Sequence, residues 1–165
     1  MLASLELSVS AAPPQILPAE TVEHPDLRAL LDYWNRLRRP NPMPARPVAG
    51  RQIGGLLKRL HLSDVVDDGA DFRFRLLGDA VFVCSAENQT GRLVSTHPDI
   101  GVRLRYPILM REVVRTRGPV RGLAVRVTSN THFRTDSLWL PFGGPDVRQV
   151  MGMSVLTQID ADETR

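Results

Sequence analysis

Cysteine is nearly absent from the chain, where Cys84 stands alone among 165 residues. One cysteine cannot close an internal disulfide, and no CxxC pair is present to grip a metal or attach a haem. Lysine is equally scarce, with Lys58 set against twenty arginines. Positive charge is therefore carried by guanidinium groups that stay protonated, whose planar fork suits carboxylates, phosphates and aromatic faces. No apolar run approaches the roughly 20 residues that cross a bilayer. The opening MLASLELSVSAAPPQILPAE has neither a basic leader nor a sustained apolar core, which argues against a signal peptide. These absences predict a soluble, cytoplasmic protein with no membrane attachment.

Reaction chemistry is just as thinly marked. Cys84 and Ser137 have no flanking nucleophile signature of the GxSxG kind. His24, His61, His97 and His132 lie far apart, with no HxH or HExxH arrangement. Asp64, Asp67, Asp68 and Asp71 cluster, but their spacing misses the alternating acids of a calcium loop and reads as turn chemistry. The sequence predicts a protein that is not an enzyme, holds no metal and names no cofactor.

What is present is a globular composition, 42% apolar and 24% charged. A chain of this length buries roughly 70% of its unfolded surface, enough for one core without staples. Charge is uneven. Residues 1–27 hold four acids and no Arg or Lys, whereas residues 28–159 hold twenty bases against eleven acids. Arg103, Arg105, Arg111, Arg115, Arg117 and Arg121 concentrate in one stretch and raise the reading of an Arg-dependent nucleic-acid binder. No helix-turn-helix, zinc finger or stacking platform accompanies them.

Hydrophobic periodicity orders the chain. Residues 1–24, with Pro13, Pro14 and Pro18, read as a flexible tail. Pro25 and Asp26 start a helix whose stripe is Leu27, Leu30, Leu31, Trp34 and Leu37, and the Pro40–Pro47 region stops it. A short helix over Ile53–Leu60 follows. His61–Val66 and Asp71–Leu77 read as strands joined by Asp67-Asp68-Gly69-Ala70. Asp79–Ala86 reads as a short helix, and Ile100–Arg115 as a longer one containing Pro107. Three strands, Val120–Val127, Phe133–Phe142 and Val147–Ile159, close a domain spanning 25–160, with 161–165 as a C-terminal tail.

Five segments in this order carry a resemblance. They are Leu31-Asp32-Tyr33-Trp34 with Leu37-Arg38, then Met43-Pro44-Ala45-Arg46, then Phe72 through Gly78, then Thr90-Gly91-Arg92, and finally Leu138-Trp139-Leu140-Pro141. Over residues 27–158 the chain resembles a family of bacterial stand-alone PAS-like proteins, with a YW-x-x-LR helix, an M-P-x-R segment, a hairpin ending in RLxG, a GR turn and an LPL strand. It departs from that pattern at Pro47–Arg51, where the family carries an acidic-Pro stretch. The resemblance implies an α+β, PAS-like fold: a five-stranded antiparallel sheet with a helical crossover and an N-terminal helix on its other face or at a dimer interface. It further implies a non-enzymatic sensory or regulatory module that binds a small-molecule ligand, a partner protein, or both.

In such a fold a pocket lies between the inner sheet face and the crossover helices. Phe74, Leu76, Phe82, Leu104, Ile108, Trp139 or Leu140, and Met151 or Met153 are its expected lining, with a filled core as the competing arrangement. His97, just ahead of the longer helix, is the residue a haem would use, or else a local cap. Cys84 lacks the surroundings of a flavin-reactive cysteine and reads as a small buried hydrophobe. Arg46 and Arg75 are candidates for a structural lock or an anion contact, with Asp32 a partner for Arg75. Tyr33 and Trp34 are the expected surface of a homodimer. The alternative to a ligand-binding module is a protein-interaction or dimerisation domain with a filled core.

Overall fold

A computed structural model of the protein describes residues 12–84, 87–128, 131–160 and 162, without the side chains of 82–84 and 128. Its regular elements are β1 (Gln15–Pro18), α1 (Pro25–Arg38), β2 (Leu60–Val66), β3 (Asp71–Leu77), α2 (Ile100–Thr116), β4 (Val120–Thr128), β5 (Thr131–Gly143) and β6 (Val147–Ile159). All six strands join one antiparallel sheet in the order β1-β4-β5-β6-β2-β3. The architecture is α+β, an open sheet with one long helix on each face.

Helix α1 begins where the sequence says it should. His24 accepts a hydrogen bond from the Asp26 amide through Nδ1, Pro25 occupies the first turn, and Arg36 and Arg38 sit at the carboxyl end. Its stripe of Leu27, Leu30, Tyr33 and Trp34 is buried against Leu138, Leu140, Phe142, Met151 and Met153. Burying four such side chains contributes about 1.5–3 kcal/mol each. Helix α2 starts at an Asp99 cap that accepts from the Val102 amide, and ends at left-handed Arg117. It packs Val102, Leu109, Met110 and Val113 on Phe72, Phe74, Val120, Trp139 and Val150.

Strand alternation sorts residues between the two faces. On β5, Leu138, Leu140 and Phe142 meet α1 while Trp139 meets α2, and on β6, Met151 and Met153 meet α1 while Val150 meets α2.

The sheet has six strands where five were expected. The added one is β1, formed by Gln15–Pro18 and paired with β4 from Gln15↔Leu123 to Pro18↔Val120. Prolines flank this strand closely, yet an edge strand of four residues bonds on one side only and tolerates them. Residues 1–11, 161 and 163–165 of the expected tails, and Ser85, Ala86, Ser129 and Asn130 of the expected helix end and turn, lie outside the described residues. Between β2 and β3, Asp67, Asp68 and Gly69 all adopt positive φ, at 48°, 55° and 99°, conformations that Asp and Gly supply at low cost.

Candidate functional site

Part of the sheet face under α2, on the neighbouring strands β4, β5 and β6, carries small side chains. Gly122 and Ala124 on β4, Thr135 and Ser137 on β5, and Ser154 on β6 form a shallow floor, and α2 spans it with Val102, Arg105, Tyr106 and Leu109. Between floor and helix lies a cavity of about 690 Å³. That volume falls in the range of small-molecule sites. Its rim includes the exposed Ala80 and Leu156.

One wall is aromatic. His61 on β2, only 2% exposed, stacks on Tyr106 with ring centroids 5.1 Å apart and 18° between planes, and leans on Trp139 at 5.0 Å and 58°. Tyr106 and Trp139 meet edge to face at 4.8 Å. Register explains the clustering: Trp139, Gly152 and His61 sit opposite one another across β5, β6 and β2. Gly152 is required at the centre of that row. A Cβ there would collide with Cε1 and Nε2 of the imidazole.

The polar groups beside this wall are mostly paired. Trp139 Nε1 donates to Ser137 Oγ at 2.8 Å, and Ser137 Oγ donates to the Gly122 carbonyl at 3.2 Å. His61 is different. Neither Nδ1 nor Nε2 has a hydrogen-bond partner. Burial in apolar surroundings pushes its pKa down to about 3, so the ring is neutral with one N–H and one bare nitrogen. At the opposite end the cavity is charged. Asp99 and Arg126 form a 2.9 Å ion pair, and the largely buried Arg105 donates through Nε to the Ala12 carbonyl at 2.9 Å. Desolvation draws the Arg105 pKa down, opposed by Asp99 and assisted by Arg126.

Of the residues expected to line a pocket, Trp139 does so. Phe74 is buried beneath α2 in the packed cluster beside the cavity. Leu104 and Ile108 are 41% and 37% exposed on the outward side of α2. Leu140, Met151 and Met153 are on the α1 face, one residue out of phase with the floor. Leu76 is 50% exposed because β3 carries a bulge. Leu62 pairs Leu76 and Ser63 pairs Phe74, so Arg75 is the additional residue and strand parity inverts beyond it, turning Leu77 inward in place of Leu76. The side chain of Phe82, like that of Cys84, lies outside the described residues.

Tyr33 and Trp34, expected at a dimer interface, are instead 4% and 3% exposed within the chain's own core. Trp34 Nε1 donates to the Pro141 carbonyl at 2.8 Å, while the Tyr33 hydroxyl donates to the Val48 carbonyl and accepts from the Val48 amide. Their stripe is consumed by the sheet. Arg46 and Arg75 are exposed, and among the described residues no ion pair joins Arg75 to Asp32. His97 acts as a local cap, its Nδ1 accepting from the Asp99 amide at 3.0 Å and its ring edge-on to Phe74 at 5.8 Å. Burial lowers its pKa as well.

The six arginines weighed for nucleic acid are all engaged within the chain. Arg103 and Arg105 bind the His97 and Ala12 carbonyls, and Arg111 binds those of Gly69 and Ala70. Arg115, Arg117 and Arg121 pair with Glu112, Asp146 and Asp136. Among the described residues no group of three or more His, Cys, Asp or Glu could hold a metal ion, and no helix is long and apolar enough to cross a membrane.

Sequence reasoning passed over His61 as one dispersed histidine. The signal that marks it is Gly152 within Met151-Gly152-Met153, since a lone glycine inside a strand pattern points to a close approach. No protein-family model matches the chain, and no curated protein matches it either.

Proposed function

We propose that the protein is a non-enzymatic, PAS-like sensory or regulatory module that holds a small molecule between its sheet and α2 and acts through association with a partner protein. The cavity of about 690 Å³ is the observation that carries this reading. The element order adds support. Two strands, a helical crossover and three antiparallel strands make a five-strand set with β3 and β4 at its ends, and β1 is added beyond β4. A purely interacting domain with a filled core would have large side chains where Gly122, Ala124, Ser137 and Ser154 stand. A nucleic-acid binder would keep its arginines free of the intramolecular bonds they make.

Native against denaturing mass spectrometry of the purified protein, with an absorption spectrum of the same sample, tests the reading. The expected result is a mass excess of small-molecule size that vanishes on denaturation. A mass equal to the polypeptide alone, together with failure of the cavity to take up any apolar probe, would overturn it.

A further inference from the structure

We infer that the outer face of α1, together with the chain that returns along its flank, is the surface that docks an acidic segment of a partner protein. The inference rests on the partner-association part of the reading above and names the surface and the partner's chemistry. Residues 28–58 hold seven bases against a single acid, Asp32. Arg28 and Arg36 lie two turns apart on the side of α1 turned away from its buried stripe, and Arg39 stands just past its end. The chain then doubles back along the helix. Tyr33 holds the Val48 backbone, and Arg59 bonds Asp26 in the first turn at 2.5 Å. Asp26, Tyr33 and Arg36 follow one another on the same flank of α1, so the returning chain lays Arg46, Arg51 and Lys58 beside the Arg28 and Arg36 side chains. Ile53 and Leu56, buried in the α1 core, pack it in place.

The charge of this face is uncompensated. Arg28, Arg36, Arg39, Arg46, Arg51 and Lys58 are all exposed. Among the described residues none of the six makes an ion pair. The six arginines from Arg103 to Arg121 differ in being engaged within the chain. Carboxylates match this face, because guanidinium forks take them two-pronged. Two features favour a protein over a nucleic acid. Val48 and Leu57, 48% and 42% exposed, stand among the cations, and a protein partner buries apolar side chains that a phosphate backbone leaves bare. No exposed large apolar residue among the described residues is aromatic, so single-stranded bases have no platform to stack on.

Three fluorescein-labelled probes separate the possibilities: a dodecapeptide of Glu and Asp interspersed with Leu, its counterpart with Gln and Asn for the acids, and a dodecamer DNA duplex. Each is titrated with the full-length protein at low salt and followed by anisotropy. The acidic peptide should bind at least about tenfold tighter than the amide peptide. The triple variant Arg36→Gln/Arg46→Gln/Arg51→Gln should lose about tenfold in that affinity. Arg75→Gln/Arg92→Gln/Arg115→Gln removes the same charge from exposed positions elsewhere and should lose less than about twofold. Amide ¹⁵N shifts of the wild type, expected to move within α1 and residues 46–58, keep the test decisive should a variant fold poorly. Equal losses in the two triples, with shifts scattered over the molecule, would overturn the surface. Equal binding of the amide peptide would overturn the acidic chemistry. Tighter binding of the duplex than of the acidic peptide would overturn the protein partner. Failure of the acidic peptide to bind would overturn the inference outright, while the cavity reading is decided separately by the mass excess.

Discussion

Replacing Gly152 by alanine should cost far more than one methyl group ordinarily does in a strand. In open surroundings the change is favourable by about 0.5–1 kcal/mol, because alanine loses less backbone freedom on folding. Here the new Cβ would collide with His61 Cε1 and Nε2 and lie 3.0 Å from Trp139 Cε3. The imidazole has little room to retreat, since Tyr106 is stacked on it and Trp139 leans against it. Overpacking of this kind costs about 1–3 kcal/mol, so a net loss of about 2 kcal/mol is expected. With a urea slope of about 2 kcal/mol/M, that moves the midpoint down by about 1 M. In a His61→Ala background the main obstruction is gone, and Gly152→Ala should cost less than about 0.5 kcal/mol. Urea unfolding at pH 7.5, followed by tryptophan fluorescence on all four proteins, measures the coupling directly. A coupling energy below about 0.5 kcal/mol, with Gly152→Ala equally damaging in both backgrounds, would refute the packing argument.

Stability should also fall in mild acid. His61 titrates near its ordinary value of 6.5 when unfolded but near 3 when folded, so the unfolded chain binds the extra proton between those limits. Its contribution is complete above about pH 6.5 and is lost as pH falls towards 3, at about 1.4 kcal/mol per unit. His97, also lowered, acts with the same sign, whereas Asp26 and Glu112, held down mainly by hydrogen bonds from Arg59 and Arg115, add their loss at lower pH. His61→Gln should remove about 1.4 kcal/mol per unit of that slope between pH 5 and 6, and an unchanged slope in chemical unfolding would contradict the burial. Trp34→Phe strands the buried Pro141 carbonyl and should cost about 2 kcal/mol, read as a Tm lowered by about 4–8 °C. Arg121→Ala removes a two-pronged bond to Asp136 and a 2.7 Å bond to the Thr21 carbonyl. It should speed amide exchange across Gln15–Val22 more than across α1, and uniform acceleration would count against a local tie.

Elements announced by a strong period were legible from the residues. The α1 stripe and its Pro25 start, the bounds of β3 and β6, and the long α2 helix all follow from local patterns that tertiary contacts reinforce. What stayed hidden depends on parity and register between distant strands. Met151 and Met153 look like pocket residues until β6 is placed beside β5, which assigns them to the α1 side. Leu76 looks inward-facing until the extra residue at Arg75 inverts the alternation. Tyr33 and Trp34 belong to an amphipathic stripe, and a stripe states that a face will be covered without stating by what. The cavity was expected from large apolar residues, yet the floor that opens it is made of Gly122, Ala124, Thr135, Ser137 and Ser154. Composition and periodicity weigh the side chains that are present, and a hollow is made by those that are small.

The short strand β1 changes how the protein should be trimmed. Residues before Pro25 read as expendable, but Gln15–Pro18 occupies the outer edge of β4, Pro14 borders the cavity, and the Ala12 carbonyl receives the Arg105 guanidinium. Cutting the chain at Pro25 would bare the Val120–Leu123 edge of β4, a template for edge-to-edge association between molecules. It would also deprive a largely buried cation of a carbonyl acceptor. A shortened protein that aggregates would therefore report an unguarded sheet edge, and would say nothing against the fold of the residues that remain.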